Sequence, residues 1–179
     1  TLPGLVEALQ PAHAAVFLRD PADGPVLEGL GVTAPVEEGA DTAFLLPPAD
    51  PGPADAWLRE RGIEGTALLG VNLNRYGGRF HPDEAAVPPS TVAGAVAGGL
   101  AAVARETGCA VLFLPTAVKD EPFCAEVALR LEGVRTALLP ARDVDLTRGA
   151  IARCRALLGM RMHSLVFAAS AGVPMAGIE

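Results

Sequence analysis

The stretch Gly159–Ile178 reads GMRMHSLVFAASAGVPMAGI. From Leu165 to Ala171 nearly every residue is apolar or small, and Gly172-Val173-Pro174 ends the run. The preceding Ala156-Leu157-Leu158-Gly159-Met160 reads as a short buried strand. A helix over 163–171 and a strand over Val173–Ile178 complete a strand–helix–strand unit. Arg161 and His163 then stand at the top of a strand, on the first turn of the helix. Free backbone N–H groups and the positive end of the helix dipole make that position an anion site.

The same alternation runs through the rest of the chain and predicts an α/β fold with a mostly parallel sheet. Strand-like runs occur at Ala14–Leu18, Ala34–Val36, Thr66–Leu73, Ala110–Leu114 and Val134–Leu139. Helical patterns fall at Pro25–Leu30, Ala54–Arg61, Ser90–Thr107, Glu121–Leu131 and Leu146–Arg155, with Ser90 as an N-cap. The helix over 90–107 is rich in Ala and Gly, which predicts close packing of its neighbours. Parallel sheets are covered on both faces, so Val16, Val71, Leu112, Leu138 and Leu158 are predicted as central buried strand residues.

The 179 residues suffice for one domain with a sizeable core. A net charge of −7 argues against nonspecific nucleic-acid binding, which needs excess Lys and Arg. Cys109, Cys124 and Cys154 show no metal-ligand spacing and read as reduced, buried residues of a cytosolic protein. No apolar run reaches the length of a membrane span, and no signal peptide is visible. The chain opens on Thr1 and stops at Glu179 in mid-pattern, which suggests a fragment of a longer enzyme.

In open α/β sheets ligands bind beyond the carboxyl ends of the strands. The residues expected there are Arg19 and Asp20; Asn72, Asn74 and Arg75; Lys119 and Asp120; Arg142 and Asp143; Arg161 and His163. Five of the 14 basic residues, including the only lysine, thus fall in these loops of an acidic protein. A cationic rim of this kind suits a small phosphate or carboxylate compound, although loops collect charge in any case. Arg161 is more pointed, because a cation at a helix start opposes the dipole unless an anion accompanies it. Arg161, His163, Asn72 and Arg75 are predicted to converge on one cleft. His13 and His81 read as surface or loop residues, and Trp57 as packing.

Gly159-Met160-Arg161-Met162-His163-Ser164, followed by Ala171-Gly172-Val173-Pro174, resembles the GxRxHS and AGVP signature of polysaccharide pyruvyl transferases. Phe17-Leu18-Arg19-Asp20, Asp41-Thr42-Ala43-Phe44 and Val71-Asn72-Leu73-Asn74 are similar to three weaker upstream segments of that family, in the same order. The nearest type is the cell-wall enzyme that pyruvylates a glycan to which S-layer proteins attach. The family's N-terminal domain and a Lys-containing segment after the AGVP strand are not in this sequence.

The resemblance implies a fold like glycosyltransferase type B, with residues 1–179 as a single Rossmann-like, donor-binding C-terminal domain. It implies transfer of the enolpyruvyl unit of phosphoenolpyruvate onto two sugar hydroxyls, giving a pyruvate ketal and phosphate. Phosphoenolpyruvate, with a phosphate and a carboxylate, asks for two cationic contacts. Arg161 and the helix start would supply one, and Arg75, Lys119 or Arg142 the other; Arg19, Asn72, Asn74, His163 and Ser164 complete the binding set. His163 is the candidate for proton transfer or for phosphate binding, and Asp20 or Asp120 for the general base. No metal or cofactor is implied. The expected partners are phosphoenolpyruvate and a glycan acceptor, free or lipid-linked. The expected location is cytoplasmic, or peripheral at the inner face of the membrane. The alternatives are a nucleotide-sugar glycosyltransferase or epimerase of the same fold, and a non-catalytic anion-binding module. Against the first stands the absence of a carboxylate on helix 163–171.

Overall fold

The structure, a computed structural model, describes residues 15–74 and 88–178 together with Gly4 and Glu7. It divides the chain into two compact units, Thr1–Leu46 and Pro47–Glu179.

The C-terminal unit is an α/β domain with a Rossmann-like, wholly parallel sheet. Its strands are β3 (Leu68–Asn72), β4 (Ala110–Phe113), β5 (Thr136–Leu138), β6 (Ala156–Gly159) and β7 (Met175–Gly177), in the order β5-β4-β3-β6-β7. Its helices are α2 (Pro51–Glu60), α3 (Pro89–Thr107), α4 (Glu121–Leu129), α5 (Val144–Ile151) and α6 (Met162–Ser170).

Alternate side chains of each strand enter different cores, as a period of two requires. Leu68, Ala110, Leu112, Leu114 and Leu157 pack with Ala54 and Leu58 of α2, Ile151 of α5 and Ala168 of α6. Val71, Val111 and Phe113 pack on the other face with α3 and with Phe123, Cys124 and Val127 of α4. Val71 and Leu112 are fully buried, as their runs predicted. Leu138 is only half-buried because β5 is an edge strand. Leu158 is half-buried because the cover on the α3 face thins toward β7, where its neighbour Ala176 is exposed.

Two local expectations are corrected. Ser90 does not cap α3: the helix starts at Pro89, and Pro88 holds the N-cap position. The glycines of α3 do not mediate close packing either. A Cβ on Gly94, Gly98 or Gly99 would meet nothing within 4 Å. The contact stripe is made of Ala93, Ala97, Leu100, Ala101 and Ala104, at helical spacing. Cys109, Cys124 and Cys154 are free and buried, as expected. Burial pushes the Cys124 thiol up to about 11 and the Cys154 thiol to about 12. Trp57 packs at the edge of the core, with the Arg61 guanidinium 4.2 Å above its ring.

The N-terminal unit corrects the place of Val16. β1 (Val16–Leu18) pairs in parallel with β2 (Val36–Glu38) in a separate two-stranded sheet, and Val16 is half-buried. The short helix α1 (Gly24–Gly29) connects them. An apolar run between turn signals identifies a strand but not its partner, which is set by contacts far along the chain.

Candidate active site

The strand order reverses between β3 and β6, the topological switch point at which open α/β sheets bind ligands. Asn72 ends β3 and is in register with Gly159, which ends β6. Above the carboxyl ends of β3 to β6 lies a cleft of about 650 Å³. Its walls come from Asn74, the segment Pro115–Ala117, the segment Ala141–Val144, Thr147, the segment Met160–His163, and Phe167.

Most of the GxRxHS segment is built into the protein around Arg161. The Asn72 side chain is fully buried; its Oδ1 accepts from the Arg161 backbone N–H at 3.0 Å, and its Nδ2 donates to the Leu114 carbonyl at 2.7 Å. The Ser164 hydroxyl donates to the Arg161 carbonyl at 2.6 Å. The Arg161 guanidinium grips the Asp120 carboxylate by two bonds, Nε to Oδ2 at 2.5 Å and Nη2 to Oδ1 at 2.8 Å. Asp120 is 1% exposed. The hydrogen bonds to Asp120 raise the Arg161 pKa further above its ordinary value, against the opposing effect of burial. A cation at a helix start asks for an anion, and here the protein supplies one in Asp120.

Gly159 belongs to the same arrangement. A Cβ there would stand 2.6 Å from the Ser164 hydroxyl and 2.9 Å from a Leu165 methyl, closer than packed atoms approach. Gly159→Ala should therefore displace the first turn of α6 and cost about 1–3 kcal/mol, as overpacking does. Urea unfolding of the variant against the parent measures this, and an unchanged midpoint would show that the turn yields freely.

His163 is the second residue of α6, exposed, and on the cleft wall. Its ring lies 6.3 Å from that of Phe167, one turn on, at a tilt of 47°. Behind Phe167, the Arg148 guanidinium sits 5.9 Å from the ring, itself bonded to Asp145 and to the Pro47 carbonyl. The start of α6 has no side-chain cap and no acidic residue in its first turn. At the start of α5, by contrast, the Asp143 carboxylate accepts from the Leu146 N–H at 2.9 Å. The α6 start is thus the more open of the two to a further anion.

Arg142 lines the same cleft, exposed and in no ion pair among the described residues. Its loop is tethered by the Glu121 carboxylate, which accepts from the Ala141 N–H at 2.8 Å. Asn74 lines the same cleft, and its buried Oδ1 has no hydrogen-bond partner among the described residues.

The cleft thus gathers Arg161, His163, Asn74 and Arg142 of the residues predicted from sequence. Asn72, Ser164 and Asp120 lie beneath its lining and hold Arg161. Lys119 is exposed, in a 3₁₀ turn just before Asp120, and is not on the cleft wall. Arg19 and Asp20 belong to the N-terminal unit, where Arg19 pairs with Asp41 at 3.1 Å and Asp20 accepts from the Ala22 N–H at 3.0 Å. Arg75, His13 and His81 lie outside the described residues. The sequence reading missed the apolar wall of Phe167, Met160, Met162 and Val144. The spacing of His163 and Phe167, four residues apart on one helix, is the signal that could have found part of it.

Among the described residues no cluster of three or more His, Cys, Asp or Glu stands close enough to hold a metal ion. None of the described helices is long and apolar enough to cross a membrane. Residues 103–179 match the family model described as polysaccharide pyruvyl transferase. The match includes the Gly159–Pro174 signature, Asp120 and Arg142, whereas the three weaker upstream segments lie outside it. No curated protein matches the chain.

Proposed function

From the support that residues 103–179 give to the polysaccharide pyruvyl transferase family, and with it to a transferase of polysaccharide biosynthesis, we propose that the cleft binds phosphoenolpyruvate. The protein would pass its enolpyruvyl unit to a sugar of a cell-wall or exopolysaccharide glycan, free or lipid-linked. The S-layer-anchoring glycan is the acceptor type that the sequence resembles most.

The observation that carries this reading is where the GxRxHS segment lies on the cleft. Arg161, held by Asp120 and Ser164, and the exposed His163 stand together on one cleft wall beside an uncapped helix start. Arg142 supplies a second cationic group lining the same cleft. A compact molecule with a phosphate at one end and a carboxylate at the other suits two cationic groups on one cleft.

The reaction forms two C–O bonds to the central carbon of the enol and breaks the one to phosphate. The methylene takes a proton and becomes a methyl group, and an oxocarbenium-like centre is attacked by one sugar hydroxyl. The second hydroxyl then displaces phosphate. In this reading His163 gives the first proton or holds the departing phosphate. Asp120 is ill-suited to be the base, because both its oxygens are engaged by Arg161.

The test is phosphate release by the intact protein with phosphoenolpyruvate and a panel of cell-wall glycans. Release that needs both substrates, with a ketal in the product, is the expected result. Turnover of a nucleotide sugar, with none of phosphoenolpyruvate, would place the protein among glycosyltransferases or epimerases instead.

A further inference from the structure

Four polar or charged side chains are recorded as buried among the described residues: Asn72, Asp120, Thr147 and Ser164. Three of them bond to Arg161, each at a different group: the backbone N–H, the guanidinium and the carbonyl. Burying polar groups is costly unless each is matched, so this concentration on a single cleft residue calls for a reason. Asp120 holds the guanidinium, while Asn72 and Ser164 hold the backbone of the same residue.

Resting on the reading of the cleft as an anion site, we propose that Asp120 is a positioning residue that aims the free edge of Arg161 at the donor's anionic group. Asp120 occupies Nε and Nη2, which leaves Nη1 as the guanidinium nitrogen without a partner among the described residues. Asn72 and Ser164 fix the backbone from which the side chain springs. A guanidinium already held in one orientation has less freedom to lose when the ligand arrives. Asp120 therefore acts on binding through Arg161 and takes no proton.

The experiment measures binding of phosphoenolpyruvate, and separately of inorganic phosphate, to the intact protein by calorimetry, with turnover followed in parallel. Asp120→Asn should weaken binding of both about 10- to 100-fold, the worth of one charge-assisted hydrogen bond. Turnover at saturating phosphoenolpyruvate should fall by no more than about threefold, and its pH profile should keep its shape, since no base is lost. Arg161→Lys keeps the charge without the fork and should weaken binding similarly. The double variant should be little worse than either single one, because the two residues act as one unit.

Unchanged binding with a lowered melting temperature would reduce Asp120 to a structural role. A hundredfold loss of turnover with loss of the acidic limb would make it the base. Additive losses in the double variant would uncouple it from Arg161. Each of these overturns the proposal. If Asp120→Asn does not fold, the Arg161 Nε–H signal of the parent protein decides by nuclear magnetic resonance. It should remain protected from exchange when phosphate is added, and its loss would mean that the ligand displaces Asp120. Binding of phosphate without phosphoenolpyruvate would defeat the proposed function and leave this inference to be judged on phosphate. Binding of neither defeats both.

Discussion

Arg161→Ala is expected to destabilise the C-terminal unit by about 3 kcal/mol, at the low end of what breaking a buried ion pair costs. The side chain of Asp120 is 2% exposed and that of Arg161 29%. Removing Arg161 therefore strands a buried carboxylate. Two well-aligned bonds are lost along with it. Asp120→Ala in the same background should recover part of the loss, because the uncompensated charge is then gone. Denaturant midpoints of the two single variants and the double variant measure this. If Arg161→Ala melts like the parent protein, the pair contributes nothing to the fold. Loss of donor binding in Arg161→Ala must accordingly be read beside its stability.

His163→Ala is expected to behave in the opposite way. The side chain is exposed and lies outside both cores, so the unfolding midpoint should move little. A general acid contributes about 10²–10⁴-fold in rate, so turnover with phosphoenolpyruvate should fall by that amount if His163 gives the proton to the methylene carbon. Apparent affinity for phosphoenolpyruvate should then change much less. A loss confined to affinity would make His163 a phosphate ligand instead, and normal turnover would remove it from the site.

The contrast between these two residues marks what was legible in the sequence. The strands Leu68–Asn72, Ala110–Phe113 and Ala156–Gly159 stand out because a parallel sheet buried on both faces needs unbroken apolar runs. The strand–helix–strand unit around Arg161 and His163 follows from short-range pattern alone. The partner of β1 did not, since a three-residue strand carries no record of which strand it will join. Nor was the partner of Arg161 readable: Asp120 is 41 residues distant in the chain, and only the folded sheet brings the loop after β4 beside the loop after β6. The sequence asked for an anion near Arg161, and the fold answers part of that demand internally. Asn72 was found as a strand-end polar residue, but its use in holding a backbone N–H depends on the β3–β6 register. Phe167 reads only as part of an apolar helix, because apolar residues on a short helix look alike whether they face a core or a cleft.

The central claim is that the cleft above β3 to β6 receives phosphoenolpyruvate. A crystal structure of the intact protein with phosphoenolpyruvate tests it most directly. The account predicts the ligand at the start of α6, with its phosphate or carboxylate against His163 and the free edge of Arg161, its other anionic end toward Arg142, and the Arg161–Asp120 pair intact. Phosphoenolpyruvate bound elsewhere with this cleft empty, or bound there with Arg161 and His163 turned away from it, would contradict the account.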